Sequence, residues 1–385
     1  MLDHRVTDNS SPVRQAPRRR RAAFAATLTL ALLGGAAAAT PAVAAPEPGF
    51  ETLTPVCSPQ LPIVHPGCVG NLQYKGAPLP SGTPNQTVQL SGDDRYATAV
   101  EVARHGFPEA DVAVLVSGEA GHLVDALSTA PLARSLAAPV LLARRGSIPA
   151  ATADYLRSTG VDSVLIVGGT SSLDAGTADR LRELGVTSVG RVEGANRYAT
   201  SRAVAALMPN ATHAWVASGE ERHLVDALAS AGPAARLAEP LVLVDDNDPI
   251  PVGDLLRSKG VTSTTVAGGP AGVAPEALAA LPAPERAEGE NRYETALELA
   301  GAGVDRGVEP ADLVLVAGLD GNLVDALASG PLGRSTLLVG ESADSMDIIE
   351  AWFDVFGAGR TTAVGAVELA GGTQQQSLRS LRLRD

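Results

Sequence analysis

The sequence predicts an α/β protein made of three tandem units with mainly parallel sheets. One observation is that two phrases recur three times, at intervals of 95 to 102 residues. The first phrase, Arg-Tyr-x-Thr, begins at Arg95, Arg197 and Arg292. The second, Leu-Val-Asp-Ala-Leu, contains Asp125, Asp226 and Asp325. A unit of this length can bury its own core. A second observation is that continuous apolar runs alternate with helical stretches, which is typical of strands covered by helices on both faces.

In the first copy, the apolar runs predict strands at 112–116, 139–142, 163–167 and 188–192, separated by helices over 123–136, 149–158 and 174–184. Corresponding strands are predicted at 214–217, 241–244 and 264–267, and at 313–317, 336–339 and 361–364. An extra strand at 87–90 precedes the first copy, whereas the third copy lacks a final one. We therefore expect the units to exchange strands and to close a pseudo-threefold ring.

The chain divides into a leader, an arm and three units, at 1–44, 45–86, 87–192, 193–288 and 289–385. Four arginines at 18–21 precede an apolar run that ends in Ala42-Val43-Ala44. This pattern predicts a secretory signal cleaved near Ala44, by the general or the twin-arginine route, with a membrane anchor as the alternative. The arm is rich in Pro and Gly and holds the two cysteines, Cys57 and Cys68, for which we expect a disulfide in an exported chain.

The net charge limits the classes of partner. Removal of residues 1–44 takes away six Arg and two Asp, which changes the formal charge from −13 to −17. We therefore expect no nucleic-acid partner and, after signal cleavage, no membrane partner. An anion-binding site has to be a local concentration of arginine against this background.

The repeated arginines are the first candidates for such a site. Asp94, Asn196 and Asn291 stand where N-cap residues belong, and Glu294 adds the carboxylate of a capping box. Arg95, Arg197 and Arg292 then fall in the first helical turn, where a cation costs about 0.3–1 kcal/mol. A compensating anion is therefore expected. Either Asp125, Asp226 and Asp325 brace the arginines internally, or the arginines converge on an acidic polymer while the aspartates orient them.

Catalysis is the third interpretation of these residues. His122 and His223 precede Asp125 and Asp226 by three residues and could bind metal or transfer protons. The third copy has Asn322 at this position, and the sequence contains no known hydrolase or metalloenzyme motif. We therefore predict no catalytic centre, metal site or cofactor.

Taken together, several phrases of the first copy resemble the cell-wall-binding repeat family of the second type. They are Arg95-Tyr96 with Thr98-Ala99, Ser117-Gly118-Glu119, Pro139 with the following Val-Leu-Leu, Val167-Gly168-Gly169, and 190–194. The resemblance covers residues 87–372. It implies Toprim-like units about a pseudo-threefold axis, in surface proteins of Gram-positive bacteria, including actinobacteria. It also implies non-covalent attachment to anionic wall polymers, with Arg95, Arg197 and Arg292 as contact candidates.

This chain departs from the family pattern in two respects. The family usually carries a separate effector domain, and the arm at 45–86 is too short to be one. The third copy has Ala366 in place of the second glycine. We expect a secreted, non-catalytic, cell-wall-associated binding protein. The alternatives are a wall-active carbohydrate hydrolase or modifying enzyme that uses Asp125, Asp226 and Asp325, and a self-associating surface-layer protein.

Overall fold

Strands and helices alternate along the chain, as predicted. The computed structural model describes residues 87–319, 323–356, 359–368 and 381–383, apart from the side chains of Asp325, Ala343, Asp344 and Arg382. The signal at 1–44, the arm at 45–86 and the disulfide between Cys57 and Cys68 lie outside these ranges and stay predictions. In the part described, no helix is long and apolar enough to cross a membrane.

The elements of the first copy follow the predicted order. They are β1 (Thr87–Leu90), α1 (Arg95–Gly106), β2 (Val112–Ser117), α2 (Val124–Leu127), α3 (Thr129–Ser135), β3 (Val140–Ala143), α4 (Ala150–Thr159), β4 (Ser163–Val167), α5 (Thr177–Glu183) and β5 (Ser188–Val192). The prediction of one helix over 123–136 is wrong, because Pro131 lacks the N–H that would bond to the carbonyl of Leu127. The Thr129 hydroxyl also donates to the carbonyl of Ala126 (2.6 Å).

The second and third copies repeat this order. The second contains α6 (Arg197–Leu207), β6 (His213–Ser218), α7 (Leu224–Leu237), β7 (Leu241–Val244), α8 (Ile250–Ser258), β8 (Ser263–Ala267), α9 (Pro275–Leu278) and β9 (Pro284–Ala287). The third contains α10 (Arg292–Asp305), β10 (Asp312–Ala317), α11 (Leu323–Leu327), β11 (Ser335–Val339), α12 (Ala343–Phe356), β12 (Arg360–Val364), β13 (Val367–Glu368) and β14 (Arg382–Leu383). The antiparallel pair of β13 and β14 was not predicted from the sequence.

Three four-stranded parallel sheets result, and the exchange of strands is confirmed. Their strand orders are β3-β2-β4-β5, β7-β6-β8-β9 and β1-β12-β10-β11. In the third sheet β1 pairs in parallel with β12, so that Leu90 lies opposite Val364. The strand β1 thus supplies the strand that the third copy lacks. Each Arg-Tyr helix begins directly after a strand of the preceding sheet, and the phrase forms a junction between two copies.

Alternate residues of each central strand enter two different cores. In β2, Val114 and Val116 belong to a core shared by all three copies, whereas Ala113 and Leu115 belong to a core local to the first. In β6, Trp215 belongs to the shared core and Val216 to a local one. Because both faces are buried, the strands appear in the sequence as continuous apolar runs.

The shared core is built around three small residues. Ala130, Ala231 and Gly330 each follow the aspartate of the Leu-Val-Asp phrase by five residues. A Cβ added to Gly330 would lie 2.6 Å from the Cβ of Ala130 and 3.1 Å from that of Ala231. Equivalent positions of three copies therefore meet at one point, which places the pseudo-threefold axis between them.

Gly330→Val should destabilise the fold by about 1–3 kcal/mol, since the added methyl groups would overpack the axis. The free energy of unfolding, from urea titration followed by circular dichroism, checks this. An unchanged midpoint would contradict the axial packing described above.

A histidine is buried at the start of β6. His213 is 5% exposed, with its Nδ1 2.9 Å from the Ser263 hydroxyl and its Nε2 3.0 Å from the Thr265 hydroxyl. Burial lowers the pKa of His213 to about 4 from an ordinary value of 6.5. Between these values the unfolded chain binds the proton and the folded chain does not, so this residue makes stability fall as the pH drops through that window.

We expect His213 to lower the free energy of unfolding by up to about 3 kcal/mol as the pH falls from about 6.5 to about 4. The measurement is the free energy of unfolding at several pH values for the wild type and for His213→Gln. The variant should show a shallower loss on acidification. Parallel curves for the two proteins would count against the buried neutral imidazole.

Candidate functional site

The repeated arginines lie at the junctions, where each holds the main chain of the sheet that its helix covers. In each copy the Nη1 of the arginine donates to the carbonyl of the glycine that follows the central strand. The pairs are Arg95 to Gly118 (2.9 Å), Arg197 to Gly219 (3.0 Å) and Arg292 to Gly318 (2.7 Å). All three arginines are half-buried. Each guanidinium thus donates to a main-chain carbonyl at the carboxyl end of a sheet.

The tyrosine of the phrase explains why a glycine follows each central strand. A Cβ added to Gly118, Gly219 or Gly318 would lie 2.8, 2.3 or 2.7 Å from the Cε1 atom of Tyr96, Tyr198 or Tyr293, respectively. No real side chain tolerates that approach, so the ring packs directly on the main chain. The glycine carbonyl is in turn the acceptor of the arginine, and the two contacts lock the helix to the sheet.

The predicted N-caps are confirmed. The Oδ1 of Asp94 accepts from the N–H groups of Tyr96 (3.0 Å) and Ala97 (2.8 Å). Asn291 makes both corresponding bonds, and Asn196 accepts from the N–H of Ala199. Glu294 departs from a standard capping box, because its Oε2 accepts from the N–H of Glu290, one residue before the cap (2.8 Å). The phrase threonines Thr98, Thr200 and Thr295 each accept, at 3.1 Å, from the N–H of the glycine six residues earlier.

Asp125 and Asp226 have partners other than the arginine of their own copy. Asp125 accepts from the Ser172 hydroxyl (2.8 Å), whose oxygen also lies 3.2 Å from the Nδ1 of His122. Asp226 is 7% exposed, and burial raises the pKa of its carboxyl despite the nearby charges of His223 and Arg292. Arg292 belongs to the next copy, so the second aspartate and the third arginine influence each other across a junction. The side chain of Asp325 lies outside the described residues.

The carboxylate nearest to Arg197 is one that the sequence did not indicate. It is that of Glu221, in the loop after β6, whose Oε1 lies 3.6 Å from the Nη2 of Arg197. Both side chains are partly exposed, so the pair contributes little to stability. The structure therefore brings the arginines to main-chain carbonyls and places Asp125 and Asp226 beside Gly168 and Gly268.

A second set of side chains at the junctions was missed from the sequence. Arg191 in β5 donates to the carbonyls of Gly168 (2.6 Å) and Leu173 (2.9 Å), and Arg286 in β9 makes the same bonds to Gly268 and Val273. At the corresponding point of β1, the Nε2 of Gln89 donates to the carbonyl of Val367 (2.6 Å). These side chains hold the loops that follow β4, β8 and β12. Their shared position in the last strand was the signal that could have found them.

The Ser172, His122 and Asp125 group does not have the geometry of a catalytic triad. Its hydroxyl donates directly to Asp125, so the imidazole does not stand between nucleophile and carboxylate. Ser172 is also 1% exposed. Among the described residues, no three His, Cys, Asp or Glu side chains are placed to hold a metal ion.

A depression of about 340 Å³ opens where the copies meet, at the amino ends of the central helices. Leucines at equivalent positions of the three copies line it: Leu123, Leu224 and Leu323. Val124, Val225 and Arg222 lie beside them. The lining is mainly apolar. Its arginine, Arg222, is paired with Glu220 at 2.6 Å. The repeated arginines lie outside it, at the junctions.

The fold and the junctions define a protein of three tandem α/β repeats that close into a ring. The family model for cell wall binding domain 2 matches residues 89–177 and 191–278. Two of the three copies therefore match the model of this cell wall-binding family, which confirms the resemblance for these segments. The third copy repeats the sheet, the arginine bond and the tyrosine contact of the two matched segments.

Two curated proteins and two solved structures are similar to this chain. The N-acetylmuramoyl-L-alanine amidase LytC of Bacillus subtilis (strain 168) is 32% identical over 216 residues, which are 56% of this chain and 42% of LytC. The amidase enhancer of the same bacterium is 30% identical over 169 residues, which are 44% of this chain and 23% of the enhancer. The chain thus spans less than half the length of these curated relatives.

The two solved structures share the fold. Cwp8 from Clostridium difficile superposes with a TM-score of 0.64 and 27% identity, over 76% of this chain and 50% of Cwp8. Cwp6 from Clostridium difficile gives a TM-score of 0.66 and 22% identity, over 73% of this chain and 46% of Cwp6.

Gly219→Ala should lower the free energy of unfolding by about 1–3 kcal/mol, because the new Cβ would overlap the ring of Tyr198. Gly301→Ala is the matched control. It lies inside α10 with no atom within 4 Å of an added Cβ, so it should raise stability by about 0.5–1 kcal/mol. Urea unfolding of both variants gives the comparison, and equal shifts would refute the tyrosine contact.

Proposed function

We propose that this protein is secreted, attaches non-covalently to anionic polymers of the bacterial cell wall, and acts by binding rather than by catalysis. The observation that carries the proposal is the match of residues 89–177 and 191–278 to a cell wall-binding family. The three arginines supply the chemistry. Each is half-buried and donates to a glycine carbonyl, at the start of a helix whose dipole also favours anions.

The preference for binding over catalysis rests on the surroundings of the repeated carboxylates. Glycoside cleavage uses two carboxyl groups in different environments, one of them an acid and the other a base or nucleophile. Asp125 is engaged by a buried serine, and Asp226 is itself buried beside Gly268. These positions suit packing beneath a loop. The amidase activity in the name of LytC belongs to a protein of which this chain covers 42%.

The first test is co-sedimentation of the mature chain, residues 45–385, with purified walls before and after removal of their anionic polymers. We expect binding to walls that is lost on stripping and weakens as ionic strength rises. Binding that survives stripping would overturn the polymer assignment. Sedimentation without walls would indicate self-assembly, and solubilisation of the walls would indicate a hydrolase.

The role of the arginines needs variants that separate charge from bracing. The first triple variant is Arg95→Lys, Arg197→Lys and Arg292→Lys, which keeps the charges but loses the planar guanidinium. The second replaces the same three arginines by Met, which removes the charges. Wall binding through charge predicts that the Lys variant binds and the Met variant does not, when both are folded by circular dichroism. Equal binding by the two would assign the arginines to bracing alone.

A further inference from the structure

The three junctions have the same framework but differ in local charge. The relevant segment is the loop after the edge strand next to the central strand, at the same end of the sheet as the repeated arginine. In the first copy this loop begins with Arg144-Arg145, in the second with Asp245-Asp246, and in the third with Gly340-Glu341. The threefold pattern of the arginines therefore does not extend to their surroundings.

In the first copy, Arg144 is placed to act together with Arg95. Its guanidinium carbon lies 4.8 Å from the centroid of the Tyr96 ring, the residue next to Arg95. Stacking uses the face of a guanidinium and leaves its N–H edges available to an anion. Arg144 and Ser147 also bond to each other through their main chains (3.0 and 3.3 Å), so the loop is a closed turn. Arg144 and Arg145 are both exposed.

The carboxylates around this loop do not cancel its charge. Asp174 lies against Gly146, but it is paired with Arg180 at 2.7 Å. Asp94 and Glu119 lie near Tyr96, and Asp94 is engaged as the N-cap of α1. Among the described residues, neither Arg144 nor Arg145 lies within ion-pair distance of a carboxylate. Arg95 and Arg144 thus both act on Tyr96, and Arg145 follows Arg144 in the same exposed turn.

The charges that act on the pKa of the phrase tyrosine differ between the first and second junctions. Burial raises the pKa of Tyr96; the charges of Arg144 and Arg95 oppose the rise, and those of Glu119 and Asp94 add to it. Burial also raises the pKa of Tyr198, but there Asp245, Glu220 and Asp246 add to the rise, and only Arg197 opposes it. In the third copy the loop packs on Tyr293 through Gly340 and presents Glu341 to solvent. An anion approaching the second or third junction therefore meets carboxylates.

We propose that the first junction is the principal polymer-binding site, in which Arg144 and Arg145 join Arg95 to hold a phosphate or carboxylate group of the wall polymer. This inference rests on the proposed function and names the site that performs it. Two adjacent arginines offer bidentate N–H groups to either anion. The second and third junctions keep the repeated arginine mainly as the brace described above.

The test compares two double variants in the mature chain, each with the same loss of two charges from the first copy. They are Arg144→Gln with Arg145→Gln, and the control Arg157→Gln with Arg182→Gln, whose arginines are exposed and paired only with Asp154 and Asp179 one turn earlier. We expect the first to weaken wall binding about tenfold, as for loss of a charge-assisted hydrogen bond, and the control to bind like wild type. Arg144→Lys with Arg145→Lys should retain most of the binding.

The outcomes separate this inference from the function on which it rests. If the wild type does not bind walls, or binds stripped walls equally well, the proposed function fails. If the wild type binds in a polymer-dependent manner and the two double variants bind equally, the first junction is not the principal site. Walls treated with hydrofluoric acid, which cleaves phosphodiesters, distinguish the sources of the anion. Loss of binding after that treatment indicates that the bound anion is a phosphate, and retention indicates a carboxylate. The Arg144→Gln, Arg145→Gln variant should bind weakly in either case.

Discussion

The structure depends on the approach of three small residues at its centre. Because Ala130, Ala231 and Gly330 have almost no side chain, the central helices can meet on one axis. That approach lets the inner faces of all three sheets bury themselves against a single core. A copy on its own would leave its inner face exposed, so the ring is the smallest unit that satisfies the apolar pattern of the strands.

Closure of the ring determines what the repeated phrases do. Each strand that ends a sheet leads directly into the helix that covers the next one, and β1 closes the last gap by joining the third sheet. The Arg-Tyr phrase is therefore a joint under the same geometric demands three times. Its N-cap, its threonine, its tyrosine and the Nη1 bond of its arginine all serve that joint. Identity among the copies thus reflects the requirements of the ring.

Ligand recognition, by contrast, can use the residues in which the copies differ. The loops after β3, β7 and β11 differ among the copies, and they carry arginines in one copy and carboxylates in the others. In a strongly acidic chain, a local pair of arginines attracts an anion at one place and the remaining surface repels it. A threefold scaffold with one such arginine-bearing junction gives a polymer a defined point of attachment.

The sequence by itself determined the α/β class, the three copies, the positions of the predicted strands to within about a residue, and the exchange of β1. These follow from local apolar patterns and from phrases compared with one another along the chain. Only the tertiary structure decided the partners of Arg95 and Asp125, the axial contact, and the clamps of Arg191 and Arg286. Each of these joins residues distant in sequence, such as Ala130 and Gly330, so no local pattern records them. The arginine needed an acceptor, but whether that would be a carboxylate or a carbonyl depended on which atoms the closed ring brought within reach.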